Sequence, residues 1–598
     1  MKVGRNRMAN AEVLRLVSAS VDTGISDWRE HAAQSRLACL VHALRGDERD
    51  TWLDAAVPRL PETVRLNPLR KDLKWTRERL VEFGAEPIEW YTGPGGAYVL
   101  PWLKSRTPDE KLRRHIQSLH GTGRITQQEA ASMLPVQALN INPNDRVLDL
   151  CAAPGSKTTQ IAEMLGSEGF VVANEVNPGR ANHLVSNLHR SGHLNVVITQ
   201  HDGRQFPRVA MPGFDRVLVD VPCTGTGTTR KNTDVWSKWK PWAGRSMHRL
   251  QRDLLKRGAM LLRPGGLLVY STCSIDPLEN EAVVADALRT FPWLELVEIS
   301  REEVFPGLTN RSGLSTWPLL ADDCSIVSDE EEWPQLSSWD DALAPPTEEN
   351  IQDSLPRCIR VWNDENDGGG FFIAVFRQAE QGENAARASR PHPRNIGRDV
   401  HPLIPPNPGH NELRLPEDEE GAGLLTDWGI ESEGLGLFRR GHYAHATTLA
   451  VKQWMWESPR TNAKHGGWPG GHWHPIRVLQ AGQPAWQIRK GKNRLLSRGL
   501  HGLGARVTAH RHTISTELLR SLLSGEQPGR SELSSLAEQG LLDNEVAETM
   551  GEERDGGILL EVEIDGRITA VPAWIAGKLS LMVPEFEQDV LRWMLERD

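Results

Sequence analysis

The chain has 598 residues, enough for about three to five domains at roughly 100–200 residues each. Its 69 Lys+Arg against 79 Asp+Glu give a net charge of −10, which excludes a uniformly basic chromatin-type binder but leaves room for local basic patches. No apolar run approaches the roughly 18 residues of a membrane span. Six scattered cysteines without a CxxC pair exclude a disulfide scaffold and a zinc ribbon. The opening MKVGRNRMANAEVLRLV lacks the continuous apolar stretch of a secretory signal, so a cytoplasmic protein is expected, with a nuclear address left open.

Residues 1–20 read as a short helix, and 28–56 carry apolar residues at helical spacing until Pro58 and Pro61 end the pattern. A strand-like VRL, an amphipathic helix and another short strand follow. Residues 1–118 therefore read as a small N-terminal α+β module. From Arg146 the rhythm changes: RVLDL, GFVVANE, NVVITQHD, DRVLVDVP and GLLVYSTCS are apolar runs, several of them separated by helical stretches. That alternation predicts an α/β domain with a mostly parallel, doubly wound sheet over 119–378, closed by GGFFIAVFRQ.

Between Arg311 and Arg357 there are 11 acidic residues and no Lys or Arg, so an insert at about 320–354 reads as a solvated, mobile loop. The Pro/Asn/Gly-rich stretch 379–420 reads as a flexible linker. Beyond it, short strands such as PIRVLQ, PAWQIRK, ILLEVEI and RITAVP predict a small barrel over 421–598.

The first strand of the α/β domain ends at Asp149, and Cys151-Ala152-Ala153-Pro154-Gly155-Ser156-Lys157 then leads into a helix. Ligands of such sheets sit at the carboxyl ends of the strands, where small residues allow close approach and a helix N-terminus offers free N–H groups. The loop is neither a dinucleotide fingerprint nor a phosphate-binding loop. Glu175 ends the second strand, suited to ribose hydroxyls, and Asp202 ends the third, suited to an adenine amino group. An adenosine-bearing cofactor fits best.

The fourth strand runs into Asp220-Val221-Pro222-Cys223 and the fifth into Ser271-Thr272-Cys273. C5 of cytosine is a poor nucleophile; a thiolate adding to C6 makes C5 enamine-like and able to attack an electrophilic methyl group. An acid near N3 would stabilise the adduct, and a base must then remove the C5 proton. A redox pair is the competing reading of two such thiols.

Asp149–Gln160 (DLCAAPGSKTTQ), Asp220–Asn232 (DVPCTGTGTTRKN) and Tyr270–Asn280 (YSTCSIDPLEN) resemble the Sun family of S-adenosylmethionine-dependent RNA cytosine-C5 methyltransferases. Gly123–Pro135 (GRITQQEAASMLP) is similar to the motif preceding that family's catalytic fold, and Cys358–Val375 to its closing strand pair. The run RKNTDVWSKW and the long C-terminal extension are most similar to the tRNA-acting branch, whose C-terminal domain is PUA-like and binds RNA. The resemblance implies a Rossmann-like class I methyltransferase, with RNA-binding modules at both ends and tRNA as partner.

By the same resemblance, Cys273 is the nucleophile and Cys223 serves product release. Asp220 faces the base and the reactive end of S-adenosyl-L-methionine, and Lys157 orients Asp220. Residues Cys151, Ala152, Ala153, Pro154, Gly155, Ser156 and Lys157 wrap the methionine portion, Glu175 holds the ribose and Asp202 the adenine.

Residues 471–512 hold eight Arg/Lys and no acid, an electrostatic footprint for a polyanion; Arg489, Lys490, Lys492 and Arg494 lie in it. Arg230 and Lys231, just past the first cysteine loop, are expected at phosphates near a flipped base. Trp236, Trp239 and Trp242 read as packing residues rather than base-stacking platforms. The histidine spacing predicts no metal site, and a monomer is expected. Ribosomal or messenger RNA as substrate, and a non-catalytic RNA-binding assembly factor, are the alternatives. A DNA methyltransferase is disfavoured, because the second cysteine would have no role in it.

Overall fold

The computed structural model describes residues 25–207, 213–380, 418–457, 476–489 and 492–596. The helix expected over 1–20 and nearly all of the expected linker lie outside these residues. The expected helix over 28–56 is three consecutive helices, Ile25–Gln34, Arg36–Arg45 and Arg49–Ala56.

The centre is the expected Rossmann-like sheet. Arg146–Asp149 (β1), Phe170–Asn174 (β2), Val196–Gln200 (β3), Phe214–Asp220 (β4) and Leu262–Thr272 (β5) pair in parallel in the order β3-β2-β1-β4-β5. These runs are almost wholly buried because helices cover both faces, which is why they carry no polar side. Ser156–Met164 (α1) and Pro178–Ser191 (α2) follow β1 and β2; Trp242–Leu261 (α3) and Glu281–Thr290 (α4) flank β5. Phe371–Gln378 (β6) adds antiparallel to β5. The strand order reverses between β1 and β4, so the switch-point crevice opens at Asp149 and Asp220.

The opposite edge corrects the expected domain division. Arg477–Ala481 (β7), the PIRVLQ run assigned to a C-terminal barrel, pairs antiparallel with β3, Arg477 opposite Gln200 and Ala481 opposite Val197. A buried strand such as β3 cannot leave a row of backbone groups unpaired, and β7 covers it. The other described C-terminal strands form two separate four-stranded sheets, not a closed barrel. One contains Leu435–Arg440, Tyr443–Thr448, Gln483–Arg489 and Lys492–Leu495; the other contains Arg511–Thr513, Gly556–Ile564, Arg567–Ile575 and Leu579–Leu581.

The second of these sheets shares a hydrophobic core with the N-terminal module, where Val64, Leu66, Trp75 and Leu119 pack with Leu518, Leu560, Val590 and Leu591. The N-terminal sheet itself is completed by Ile125–Gln127, beyond the expected boundary at 118. An ion cluster seals the contact: the buried Arg124 donates to Asp72 at 2.7 Å and to Glu587 at 2.7 and 2.9 Å. Burial alone would raise the Glu587 carboxyl, but Arg124 and Arg70 hold it at about 2. Arg124→Ala is expected to lower stability by about 3–5 kcal/mol, because two acids lose their main counter-ion. A denaturant titration checks this. The cluster's contribution should be complete above the ordinary glutamate value near ~4.3 and be lost as pH falls towards the folded-state value.

The acidic insert departs from expectation in part: most of its acids are solvated, but the segment is anchored to the main core within it and at both margins. Within it Leu343 and Ile351 enter the main core, joined by Trp317 and Leu319 just before it and Leu355 just after, and the Trp317 indole donates to the Leu343 carbonyl at 3.0 Å. Its acids face arginines of the adjoining helices, with Arg252 on Asp340 at 3.0 Å and Arg289 on Glu348 at 2.8 Å. Composition registered the charge and missed the apolar anchors within the run and at its margins. Trp236 and Trp239 are buried as expected, whereas Trp242 is exposed. No helix among the described residues is long and apolar enough to cross a membrane.

Candidate active site

At the end of β1 the Asp149 carboxyl is 1% exposed; the Thr158 hydroxyl donates to Oδ2 at 2.7 Å, while Oδ1 is buried without a partner. Burial pushes this carboxyl up to about 7, against the Thr158 bond. The loop then turns at Gly155, whose φ of 108° is left-handed and where a Cβ would lie 2.7 Å from Leu184 Cδ1. The left-handed φ is what calls for glycine, since the Leu184 side-chain end could shift aside. Helix α2 pins the loop from outside: Arg180 donates to the Ala153 carbonyl and Asn187 to the Pro154 carbonyl, each at 2.6 Å. The Ala152 N–H donates to Asn174 at 2.8 Å, tying the loop to β2.

Cys151 lies in this loop with Asp149, Asp220 and Glu175 around it; burial first, then these three acids, push its thiol well up, and Arg180 opposes them. The crevice is therefore anionic. Glu175, 3% exposed, accepts the Asn177 N–H at 2.8 Å and has Arg180 at 3.7 Å. Asp202 is less free than its sequence position suggests, because Arg204 pairs with it at 2.7 Å and lowers its carboxyl.

Across the switch point, Lys157 Nζ from α1 lies 2.8 Å from Asp220 Oδ2 at the end of β4. The ammonium also donates to Ser132 at 2.9 Å, and the Ser271 hydroxyl donates to Asp220 Oδ1 at 2.8 Å. Burial would lower the Lys157 ammonium, but Asp220 outweighs it and the net shift is upward, so the lysine stays charged. Just beyond, Cys223 Sγ and Cys273 Sγ are 3.1 Å apart. The bond with Cys273 and burial push the Cys223 thiol well up. Backbone bonds stitch the two cysteine loops together, Val221 N–H to Ser271 at 3.1 Å and Gly227 N–H to Cys273 at 2.9 Å.

The crevice thus gathers Cys151 to Lys157, Glu175, Asp202, Asp220, Cys223 and Cys273 along the carboxyl edge of one sheet. Sequence reasoning passed over Ser132 and Ser271. Both stand inside motifs quoted above, but only the fold shows that their hydroxyls reach Lys157 and Asp220.

The expected RNA contacts are scattered. Arg230 is buried, its guanidinium donating to the Pro58 carbonyl at 2.8 Å and the Arg59 carbonyl at 3.2 Å and pairing with Asp367 at 2.6 Å. It braces the N-terminal helices and does not present its charge to a phosphate. Lys231 is half-exposed, 3.7 Å from Glu129. Lys492 is half-exposed and 3.3 Å from Asp555, while Arg494 donates to Gln487 at 2.8 Å. Arg489 ends its strand, and Lys490 lies outside the described residues. Arg477, also in the basic segment, is exposed beside Gln200, one residue before the His201-Asp202 strand end. No group of three metal-ligating side chains occurs among the described residues.

A doubly wound sheet whose switch point carries a glycine turn, an anionic crevice and a lysine–aspartate pair beside two thiols defines a class I methyltransferase. The family model for 16S rRNA methyltransferase RsmB/F matches residues 136–377. A tRNA (cytosine(49)-C(5))-methyltransferase of Pyrococcus abyssi is 41% identical over 334 residues, covering 56% of this chain and 92% of the relative. The chain belongs to this Sun, or RsmB/F, family of RNA cytosine-C5 methyltransferases. A multisite-specific tRNA:(cytosine-C(5))-methyltransferase of Saccharomyces cerevisiae is 40% identical, over 46% of this chain but only 42% of the relative. The ribosomal RNA small subunit methyltransferase F of Cronobacter sakazakii is 36% identical, over 46% and 57%. The chain thus matches less than half the length of the yeast relative.

Proposed function

We propose that this protein transfers a methyl group from S-adenosyl-L-methionine to C5 of cytosine in tRNA through a covalent Cys273–C6 adduct. The observation that carries the reading is the contact of two thiols beside the Lys157–Asp220 pair at the switch point. The crevice suits this cofactor: the buried, unpartnered Asp149 Oδ1 is an acceptor for an ammonium, and the surrounding carboxylates favour a sulfonium over a neutral thioether. When bound, the cofactor supplies an electrophilic methyl group. The loop from Cys151 to Lys157 and Glu175 would hold it, with Asp202 sharing its carboxylate with Arg204.

In this scheme Cys273 Sγ adds to C6, and the electron pair released along the ring makes C5 nucleophilic. The Lys157 ammonium stabilises the negative charge that builds on the base, and Asp220 holds that ammonium in place. C5 then takes the methyl group; Cys223, once its own proton has passed to the base or to solvent as the adduct forms, accepts the C5 proton, and elimination of the Cys273 thiolate frees the product. The substrate assignment draws on four tRNA-acting relatives at 35–41% identity, a range that includes the 36% of the ribosomal one. The reading includes a monomeric, cytoplasmic enzyme.

Unmodified tRNA and 16S rRNA transcripts, offered separately with labelled cofactor, test it. Label is expected in 5-methylcytosine of tRNA. Label in rRNA alone would overturn the substrate while keeping the chemistry, and RNA binding without label would favour the assembly factor.

Cofactor affinity should also depend on pH. A bound cation favours ionised Asp149, so affinity is expected to fall below pH ~7, by at most about tenfold per unit for one linked proton. Calorimetry on wild type and Asp149→Asn checks this; the variant should bind more weakly and lose that slope.

A further inference from the structure

Behind the two thiols lies a carboxylate that has no role in the scheme above. Glu279, in the turn before α4, is fully buried. Its Oε2 accepts the Thr224 N–H at 2.9 Å and the Gln251 amide at 2.8 Å. Its Oε1 accepts the Ser274 hydroxyl at 2.6 Å and also the Thr224 hydroxyl. Thr224 follows Cys223 and Ser274 follows Cys273, so one carboxylate grips the residue after each thiol. A second link runs parallel, with the Thr226 and Ser274 hydroxyls 2.8 Å apart.

A buried carboxylate is costly unless its lone pairs are satisfied. Here four donors meet two oxygens, an arrangement that suits the ionised form, which only accepts. The donors are all neutral, so the negative charge is not cancelled at the site. Asp276, three residues earlier and also buried, is pushed up to about 7 by burial and by Glu279. Burial raises the Glu279 carboxyl as well, and its bonds from Ser274 and Thr224 oppose that. The proton of this acid pair therefore belongs on Asp276.

The thiol pair is thus flanked unequally. Lys157 from α1, paired with Asp220 at the end of β4, interacts with Cys273, with Asp149 behind the lysine. Tyr270 from β5 and Glu279 face Cys223.

We propose that Glu279 is a positioning residue: it locks the two cysteine loops so that their sulfurs meet, and its charge keeps the pair's remaining proton on Cys223 rather than Cys273. The hydrogen bond of the pair then runs from the Cys223 S–H to the Cys273 sulfur. The role of this asymmetry rests on the proposed thiol chemistry, but its existence can be measured without RNA or cofactor.

The test follows initial rates of iodoacetamide alkylation at each cysteine of the full-length protein by peptide mass spectrometry between about pH 6 and 10, where thiolates react. Wild type is expected to alkylate Cys273 faster than Cys223 near neutral pH. Glu279→Gln keeps the shape and removes the charge, and should narrow that rate ratio roughly tenfold, the effect of about one pKa unit. An unchanged ratio in the folded variant, or faster alkylation of Cys223 in wild type, would overturn the proposal. Should Glu279→Gln fail to fold, Thr224→Val removes one donor with little change of shape. It is expected to narrow the ratio in the same direction, and no change there would overturn the proposal equally. Methyl-transfer assays are not involved, so failure here is distinct from failure of the proposed activity.

Discussion

Cys273→Ala is expected to abolish methyl transfer and every denaturation-resistant protein–RNA adduct, whereas Cys223→Ala is expected to trap one. Turnover should fall roughly a thousandfold or more in both, since residues acting as a unit fail together. The adduct separates them. Without Cys273 no sulfur adds to C6. Without Cys223 addition and methylation proceed, but the C5 proton stays and the Cys273–C6 bond persists. Denaturing gels of protein with tRNA and cofactor read the difference. Adducts retained in Cys273→Ala and lost in Cys223→Ala would reverse the two roles. The 3.1 Å sulfur contact makes the pair sensitive to either change, because each sulfur is the other's neighbour.

Lys157→Met is expected to lower the rate of a single turnover by about 100–1000-fold, the usual cost of removing a preorganised charge from a site where charge develops. The ammonium holds Asp220 at 2.8 Å and Ser132 at 2.9 Å, so its loss frees Asp220 and unpairs a carboxylate beside other acids. Lys157→Arg should recover little, because a planar fork cannot replace a compact ammonium between these two partners. Rapid-quench measurements at saturating RNA and cofactor check both variants. A Lys157→Met rate within a few-fold of wild type would remove the lysine from the mechanism.

Much of the catalytic half is legible in the chain because its signals are local. Each strand of the sheet holds a short apolar run, and the motif residues Asp149 to Lys157, Asp220 to Cys223 and Ser271 to Cys273 lie at the strand ends, in the loops that follow and at the start of α1. In a doubly wound sheet, strand ends converge on one edge. A list of strand ends is therefore already a list of neighbours.

Elsewhere local signals point the wrong way. Arg230 follows a catalytic loop and carries the right charge for RNA, yet it is buried against Pro58, Arg59 and Asp367, residues more than 130 positions away in sequence. The insert around 320–354 has the composition of a solvated loop, yet Leu343 and Ile351 within it, with Trp317, Leu319 and Leu355 at its margins, join the main core. PIRVLQ reads as any short strand, and nothing within it names β3 as its partner.

The sequence by itself therefore determined the parallel sheet, the small-residue loop after β1 and the two thiols at strand ends, and family resemblance added the lysine–aspartate pair. Periodicity and loop chemistry are properties of neighbouring residues. Only the tertiary structure decided that β7 closes the catalytic sheet and that the C-terminal sheet shares its core with the N-terminal module. It alone brought Ser132 to Lys157 and Glu279 between the cysteine loops. Those are contacts between distant segments, set by which buried edges, charges and hydrogen-bonding groups must find a partner when the chain packs.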